Sequence, residues 1–177
     1  LLLTYTSALM ALRFFKKAEA ELRGYLAKHD GASQTALALG ELLKQQQELL
    51  EFEQFSAQLI AMQSADMQSA GHFLIGQKAY EDCDWQTCVT HLQRVVELWP
   101  NALNSRYLLS RAWIKLGRYE QALSLANELI AIGVEPGSVD WVRMVAATIM
   151  EDYNTVRHSA KRVGIELSGE GLIDEKW

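Results

Sequence analysis

The chain has 177 residues, of which 49% are hydrophobic and 22% charged, and it carries a formal net charge of -5 at pH 7. This composition is typical of a globular chain with one domain or a short array of repeats. The acidic balance leaves no basic stripe that could neutralise a phosphate backbone, so we expect no nucleic-acid partner. Only two prolines and 11 glycines interrupt the chain, which favours helices joined by short turns over sheet.

The chain opens on LLLTYTSALMAL, its most apolar stretch. Thr4, Thr6 and Ser7 interrupt this stretch, and it is shorter than the roughly 20 apolar residues that span a bilayer. No basic residue precedes it, so we interpret it as a helix face that packs on a core, and we expect no membrane span. Because the sequence begins at Leu1 without methionine, we expect an excerpt or a processed product of a longer chain.

Helical spacing continues through residues 1–68. The loop HDGAS, residues 29–33, is the clearest break in this half. Before it, residues 5–28 are compatible with two helices or with one continuous helix, because no Gly or Pro separates Leu9 from Phe15. After it, small and apolar residues at helical spacing predict two helices. They are Ala36, Leu39, Gly40 and Leu43 in the first, and Leu49, Phe52, Ser56 and Leu59 in the second.

Three aromatic residues recur at intervals of 34 residues: Trp85, Tyr119 and Tyr153. At two of these sites the preceding residue is an Asp that can cap the start of a helix, Asp84 and Asp152. Small or apolar residues follow each aromatic at spacings of 3, 4 and 3, which places them on one helical face. The three sets are Cys88, Leu92 and Val95, then Ala122, Ala126 and Leu129, then Val156, Ala160 and Val163.

The helix before each aromatic repeats in part. Gly76 and Ser110 are small at the matching position, where Met144 stands in the last unit. Pro100 closes one unit and Pro136 the next. Together with Trp113, Gly117 and Tyr119, this pattern resembles the tetratricopeptide repeat family, whose 34-residue signature pairs a Trp-x2-Leu-Gly-x2-Tyr helix with an Ala-x3-Phe helix and a closing Pro. The resemblance implies an all-α, right-handed superhelical solenoid of antiparallel helix pairs with a concave face.

The resemblance also predicts how the chain is divided. Residues 69–102 and 103–136 are expected to be two repeats, residues 137–170 a degenerate or capping repeat, and residues 171–177 a tail. Residues 1–68 are expected to form degenerate repeats of the same kind, displaced by two residues from the strict period. A single helix pair cannot bury its apolar face alone, so stacked neighbours must complete the core.

The sequence carries no motif for catalysis. It has no G-x-x-x-x-G-K-S/T loop, no G-x-S-x-G elbow and no H-E-x-x-H pair. Cys83 and Cys88 lack the spacing of a redox or zinc pair, so we expect both to be reduced and Cys88 to pack in a helix. We interpret the four histidines as solvated surface residues, and we predict no cofactor, no metal site, no enzymatic activity and a cytoplasmic location. The histidines are His29, His72, His91 and His158.

A solenoid of this family turns one set of side chains toward its concave groove. Phe73, Tyr107 and Trp141 recur at intervals of 34 residues, one residue after the position of the family's packing Trp. That position holds the polar residues His72, Arg106 and Asp140 here. Two readings stay open: the aromatics replace the missing packing between helices, or they line the groove and bind a peptide. The second reading predicts a partner site of Phe73, Gln77, Tyr80, Asn104, Tyr107, Arg111 and Trp141.

Some members of the family bind the acidic C-terminal tails of heat-shock chaperones with a clamp of Lys, Asn and Arg side chains. The corresponding positions here are Phe73, Gln77, Leu108, Ser138 and Val142. They cannot form that clamp. We therefore expect aromatic and apolar contacts to hold the ligand, with Arg111 the main candidate to bind a carboxylate.

The resemblance implies a non-enzymatic protein-interaction module, a scaffold or adaptor that binds a peptide or protein segment. Two alternatives stay open. The array could serve self-association as a homodimer, because solenoid ends expose apolar surface unless they are capped, and the tail holds Leu172, Ile173 and Trp177. Alternatively, the chain could be the regulatory or docking part of a longer enzyme.

Overall fold

The computed structural model describes residues 1–165, without the side chains of residues 136 and 138, and over that range the chain forms ten α-helices and no strand. The tail predicted at residues 171–177 lies outside the described residues. The helices are α1 Leu2–Ala11, α2 Phe15–Leu26, α3 Ser33–Gln45, α4 Leu49–Ala61, α5 Ala65–Glu81, α6 Trp85–Leu98, α7 Leu103–Lys115, α8 Tyr119–Ala131, α9 Pro136–Ile149 and α10 Tyr153–Val163.

Three-residue turns join the helices into five pairs, at residues 12–14, 46–48, 82–84, 116–118 and 150–152. In each turn the residue after the central one donates its backbone N–H to a carbonyl five residues earlier, as Phe14 does to Leu9 and Asp152 to Ala147. This bond closes a helix C-terminus only when the central residue is left-handed. The central residues have φ values of 62° at Arg13, 60° at Gln47, 61° at Cys83, 72° at Gly117 and 58° at Glu151.

The N-terminal segment contains the same turn and therefore forms two helices. Residues 5–28 do not form one continuous helix, because the chain turns at Arg13 between α1 and α2. The turn centres at Arg13 and Gln47 are 34 residues apart, whereas Gln47 and Cys83 are 36 apart, and the later centres return to 34. The extra length lies in α5, which has 17 residues, whereas α3, α7 and α9 have 13, 13 and 14.

Two predicted helix caps are present. The carboxylates of Asp84 and Asp152 each accept a hydrogen bond from the backbone N–H three residues later, at 3.2 Å in both cases. These bonds satisfy one of the N–H groups that the first turn of a helix leaves without a partner. The Asp before Trp85 and the Asp before Tyr153 therefore start α6 and α10 in the same way.

The helices of residues 1–165 form two layers, and neighbouring helices contact each other in only one of them. Each first helix of a pair contacts the first helix of the next pair, from α1 to α9, whereas within residues 1–165 no second helix contacts the next second helix. Each second helix instead packs against the first helix that follows it. Because the first helices approach one another and the second helices do not, the stack curves toward the first-helix layer, which lines the concave face.

The core runs between the two layers as three successive apolar clusters. Each cluster contains a fully buried leucine: Leu39 in the first, Leu92 in the second and Leu129 in the third. The first cluster is the longest and extends from α1 to α5. Close approach depends on small residues: a Cβ on Gly71 of α5 would lie 2.7 Å from the backbone oxygen of Ser56 in α4. The fold thus positions consecutive first helices side by side at a separation that side chains can span.

Candidate functional site

Four of the predicted site residues meet on three neighbouring first helices. Tyr80 lies on α5, Tyr107 and Arg111 on α7, and Trp141 on α9. The guanidinium carbon of Arg111 is 5.7 Å from the ring centre of Tyr80, 5.7 Å from that of Tyr107 and 5.1 Å from that of Trp141. All three distances fall within the roughly 6 Å range of cation–π attraction. The cation of Arg111 therefore contacts three rings contributed by three helix pairs, an arrangement we call the Arg111 cluster.

Arg111 has no carboxylate partner within the described part of the chain. Its side chain is half-buried, and its Nε is enclosed without a hydrogen-bond acceptor among those residues. Aromatic rings attract the guanidinium charge, but they do not replace the oxygen acceptors that its five N–H groups bind. Because Nε is enclosed, the donors left for an oxygen ligand are the N–H groups of Nη1 and Nη2, which form no hydrogen bond with a described residue.

Most Lys and Arg side chains on the first helices form ion pairs, and Arg111 differs from them in this respect. Over residues 1–165, the Lys and Arg residues of α3, α5 and α9 are all in ion pairs with carboxylates. On α7, Arg106 is paired as well, but Arg111 and Lys115 form no ion pair with a described residue. Lys115 is exposed one helical turn beyond Arg111, and its Nζ lies 6.0 Å from the ring centre of Trp85. The unneutralised positive charge of the first-helix layer is thus concentrated on α7.

The rings around the cation support one another. Tyr80 and Trp85 pack edge to face with their ring centres 5.4 Å apart, so Tyr80 of the cluster is held against α6. Burial raises the pKa of Tyr80, so its hydroxyl stays protonated and can donate a hydrogen bond. Trp141, by contrast, keeps 40% of its surface exposed.

The other three predicted residues lie away from this cluster. Phe73 and Asn104 line an adjoining groove of about 580 Å³ between α3, α5 and α7. Gln77 donates a 3.4 Å hydrogen bond to Glu81 on its own helix. Of the seven residues predicted as one site, four therefore form the Arg111 cluster, two line the neighbouring groove, and Gln77 belongs to neither.

The aromatics of the 34-residue period occupy unequal environments. Phe73 is half-buried and packs against the second core cluster, and Tyr107 packs against the third while it also contacts Arg111. Trp141 is the most exposed of the three. Phe73 and Tyr107 thus pack between helices, whereas Trp141 leaves a large part of its ring exposed on α9.

The polar residues beside these aromatics bridge the two helices of each pair. Nδ1 of His72 lies 3.0 Å from Nδ1 of His91, which connects α5 to α6. Arg106 donates to Glu128 across α7 and α8, and Arg162 donates to Asp140 across α9 and α10. A polar pair therefore occupies each place where the family's signature has a packing Trp.

Two of the histidine interpretations are wrong. His72 and His91 are half-buried and in contact, rather than separately solvated, because the hairpin turn at residues 82–84 brings positions 19 residues apart onto facing helices. His29 and His158 are exposed, as predicted. A one-dimensional search for ligand spacing does not detect contacts between different helices.

Other chemistry is sparse in residues 1–165. Cys88 is buried as predicted, and burial raises the pKa of its thiol to about 11, so it is a packing residue and not a nucleophile at neutral pH. Those residues contain no group of three or more His, Cys, Asp and Glu side chains arranged around a common point for a metal. None of their helices combines the length and the apolar character that crossing a bilayer requires.

Comparison with known proteins identifies the class of fold. No family model matches the chain, and no curated protein matches it in sequence. Among solved structures, YrrB, a TPR protein with an unusual peptide-binding site, is 16% identical, with a TM-score of 0.62 over 91% of this chain and 84% of that one. A double mutant of MamA is 11% identical, with a TM-score of 0.70 over 91% of this chain and 89% of that one.

A further solved structure, a thermophilic TPR protein from Thermus thermophilus, is 11% identical and has a TM-score of 0.54, over 92% of this chain and 90% of that chain. The fold is therefore an all-α solenoid of the tetratricopeptide repeat (TPR) class. This confirms the fold class predicted from the 34-residue period. At these identities the likeness concerns the fold and not the ligand.

Proposed function

We propose that the chain is a protein-interaction module that binds an acidic segment of a partner protein on its concave face, with a carboxylate seated on Arg111. The observation that carries this proposal is a guanidinium group held among three aromatic rings with no acidic partner among the described residues. An Arg–carboxylate pair can form two parallel hydrogen bonds, and it is stronger where rings displace water. The rings would in turn contact the apolar side chains that flank the acid.

Lys115 extends the positive surface by one turn of α7. Residues four apart on a helix lie on the same face, with Cβ atoms about 6 Å apart. A ligand with two acidic residues around an apolar or aromatic one therefore matches Arg111, the Tyr80–Trp85 pair and Lys115 in order. The likeness to YrrB supports a peptide ligand for this fold in general terms, since that protein is a TPR protein with a peptide-binding site.

The test is a peptide array probed with the labelled chain. The probes are random short peptides that differ in the number of Asp and Glu residues, and the proteins are wild type, Arg111→Gln and Lys115→Gln. Lys16→Gln is the matched control, because Lys16 is an exposed lysine on α2, outside the first-helix layer. We expect wild type and the control to select acidic peptides, and Arg111→Gln to lose about tenfold in affinity. Selection that ignores acidic content, or that persists in Arg111→Gln, would contradict the proposal.

Self-association is a second candidate, favoured by the N-terminal end of the stack. Five large apolar side chains there are exposed: Leu1 fully, Leu3 by 37%, Tyr5 by 42%, Leu12 by 67% and Phe14 by 57%. Such a surface on a solenoid end is suited to a second copy. Light scattering over a wide concentration range tests this: a dimer that Leu12→Glu with Phe14→Glu dissociates supports it, and a monomer throughout excludes it. The alternative tail contact through Leu172, Ile173 and Trp177 lies outside the described residues.

A further inference from the structure

The pair of histidines between α5 and α6 is not used by the proposed peptide site. We propose that His72 and His91 form a two-ligand site for a divalent transition-metal ion of the Zn²⁺, Ni²⁺ or Cu²⁺ type. The two Nδ1 atoms face each other at 3.0 Å, and the ring centres are 5.1 Å apart. Each side chain comes from a different helix of the same pair.

The distance between the nitrogens matches a chelate. An imidazole nitrogen lies about 2.0–2.1 Å from Zn²⁺, so two that share one metal at an angle between a right angle and the tetrahedral angle are about 2.9–3.4 Å apart. The observed 3.0 Å falls within that interval. A metal could therefore bind with only a small outward rotation of the two rings.

The protonation state suits metal binding. Burial lowers the pKa of His72, with His91 and Arg94 adding to the effect and Glu97 opposing it, and burial also lowers the pKa of His91. Both rings are therefore neutral at pH 7 and each has one nitrogen with a free lone pair. In the metal-free pair one Nδ1 carries the hydrogen that joins the rings. On binding, that proton moves to Nε2 of the same ring, so both Nδ1 lone pairs face the metal.

The surroundings determine which metals fit. Neutral imidazole ligands favour Zn²⁺, Cu²⁺ and Ni²⁺ over Mg²⁺ and Ca²⁺, which prefer oxygen. The nearby charges on α6, Arg94 and Glu97, form an ion pair at 2.7 Å, so the negative charge of Glu97 opposes the repulsion of a cation by Arg94. Because no third ligating side chain converges there among residues 1–165, water would complete the coordination and the metal would stay exchangeable.

Such a metal would join α5 to α6. His72 immediately precedes Phe73, and Tyr80 lies two turns further along α5. The same helix therefore carries Phe73 of the adjoining groove and Tyr80 of the Arg111 cluster. A ligand that binds only the folded pair stabilises it by mass action. Metal binding is thus expected to raise the stability of this pair whether or not the groove binds a peptide.

The test uses Zn²⁺ as the probe, with titration calorimetry on wild type, His72→Gln, His91→Gln and the control His158→Gln, whose imidazole is exposed on α10. We expect one ion per chain in wild type and in the control, and binding at least about tenfold weaker in each of the other two variants. Equal affinity in wild type, His72→Gln and His91→Gln would overturn the proposal.

A second measurement needs no variant and so remains valid if a substitution disturbs folding. Imidazole ¹⁵N resonances of wild type are followed during a Zn²⁺ titration. The proposal requires the Nδ1 signals of His72 and His91 to shift together before those of any other histidine. Earlier movement of His29 or His158, or no movement up to a several-fold excess of metal, would refute it.

Discussion

The guanidinium carbon of Arg111 lies 5.1 Å from the ring centre of Trp141, so a cation of one helix pair contacts an aromatic residue of the next. The contact depends on the repeat. Trp141 is one 34-residue period after Tyr107, and Arg111 is one helical turn after Tyr107 on the same face of α7. A slip of one residue in the stacking register would rotate either side chain by about 100° and separate the two groups. The candidate site is therefore a product of how the pairs stack.

Trp141 and Phe73 are expected to differ in role despite their shared position in the period. Trp141→Ala should weaken binding of acidic peptides about fivefold, the equivalent of about 1 kcal/mol of cation–π and ring contact. It should leave the melting temperature nearly unchanged, because the ring is 40% exposed. Fluorescence anisotropy and thermal unfolding on the same sample measure both effects.

Phe73→Ala provides the contrast, because Phe73 packs against the second core cluster. Loss of this half-buried ring from its contact with the core should lower the free energy of unfolding by about 2–4 kcal/mol. If Trp141→Ala destabilises the chain as much as Phe73→Ala does, then Trp141 is a packing residue and its assignment to a ligand surface is wrong.

Gly71 is expected to be indispensable for the contact between α4 and α5. A Cβ at this position would lie 2.7 Å from the Ser56 carbonyl oxygen and 3.0 Å from the backbone nitrogen of Ile60, neither of which can move without the helix. Gly71→Ala should therefore destabilise the chain by about 1–3 kcal/mol in urea unfolding.

The matched control for Gly71 is Gly24→Ala on α2, where an added Cβ meets nothing within 4 Å. That change should stabilise the chain by about 0.5–1 kcal/mol, because Gly is a poorer helix former than Ala. Stabilisation by both substitutions would mean that α4 and α5 are farther apart than described.

The left-handed turn centres predict a further pair of opposite effects. Glu151 has a φ of 58° at a position where Gly117 has 72°, and left-handed backbone is unfavourable for residues other than Gly. Glu151→Gly should raise the free energy of unfolding by up to about 1 kcal/mol, and Gly117→Ala should lower it by about 1 kcal/mol. Chemical denaturation measures both, and effects of the same sign would contradict the turn geometry.

The histidine pair predicts a loss of stability in mild acid. Burial lowers the pKa of both His72 and His91 below the value of about 6.5 that each has in the unfolded chain. Between the folded and unfolded pKa values the unfolded chain therefore binds more protons. The full contribution of the pair is present above about pH 6.5 and is lost as the pH falls below it.

Urea unfolding at neutral pH and in mild acid checks this, with a His72→Gln/His91→Gln double variant as the comparison. The double variant should show a smaller dependence of stability on pH than wild type. Equal dependence in the two proteins would show that the pair does not titrate as buried neutral rings.

The helix pairing could be predicted from sequence because its signals recur. Trp85, Tyr119 and Tyr153 start second helices at a constant interval, and the Asp caps before two of them are visible in one dimension. The break at Arg13 could not be predicted, because a residue other than Gly adopts the left-handed conformation there and leaves no signal. The division of the chain into repeat units, the absence of enzymatic activity and a role as part of a longer enzyme stay predictions.

The candidate site was predicted only in part. Arg111 and the three rings could be named from the period and from the family's groove positions, but not the arrangement of one cation among rings of three pairs. That arrangement depends on the distance and rotation between neighbouring first helices, which depend on the packing of the whole core. The contact between His72 and His91 has the same origin, since it joins facing helices and not successive turns of one helix.

A double-mutant cycle between Arg111 and an acidic residue of a selected peptide tests the central claim most directly. Titration calorimetry would combine wild type and Arg111→Gln with the peptide and with its Asp→Asn or Glu→Gln form. We predict a coupling energy of about 1.5–3 kcal/mol for one acidic position, the range expected for hydrogen bonds between charged groups. Strictly additive losses at every acidic position of the peptide would show that Arg111 does not seat a carboxylate.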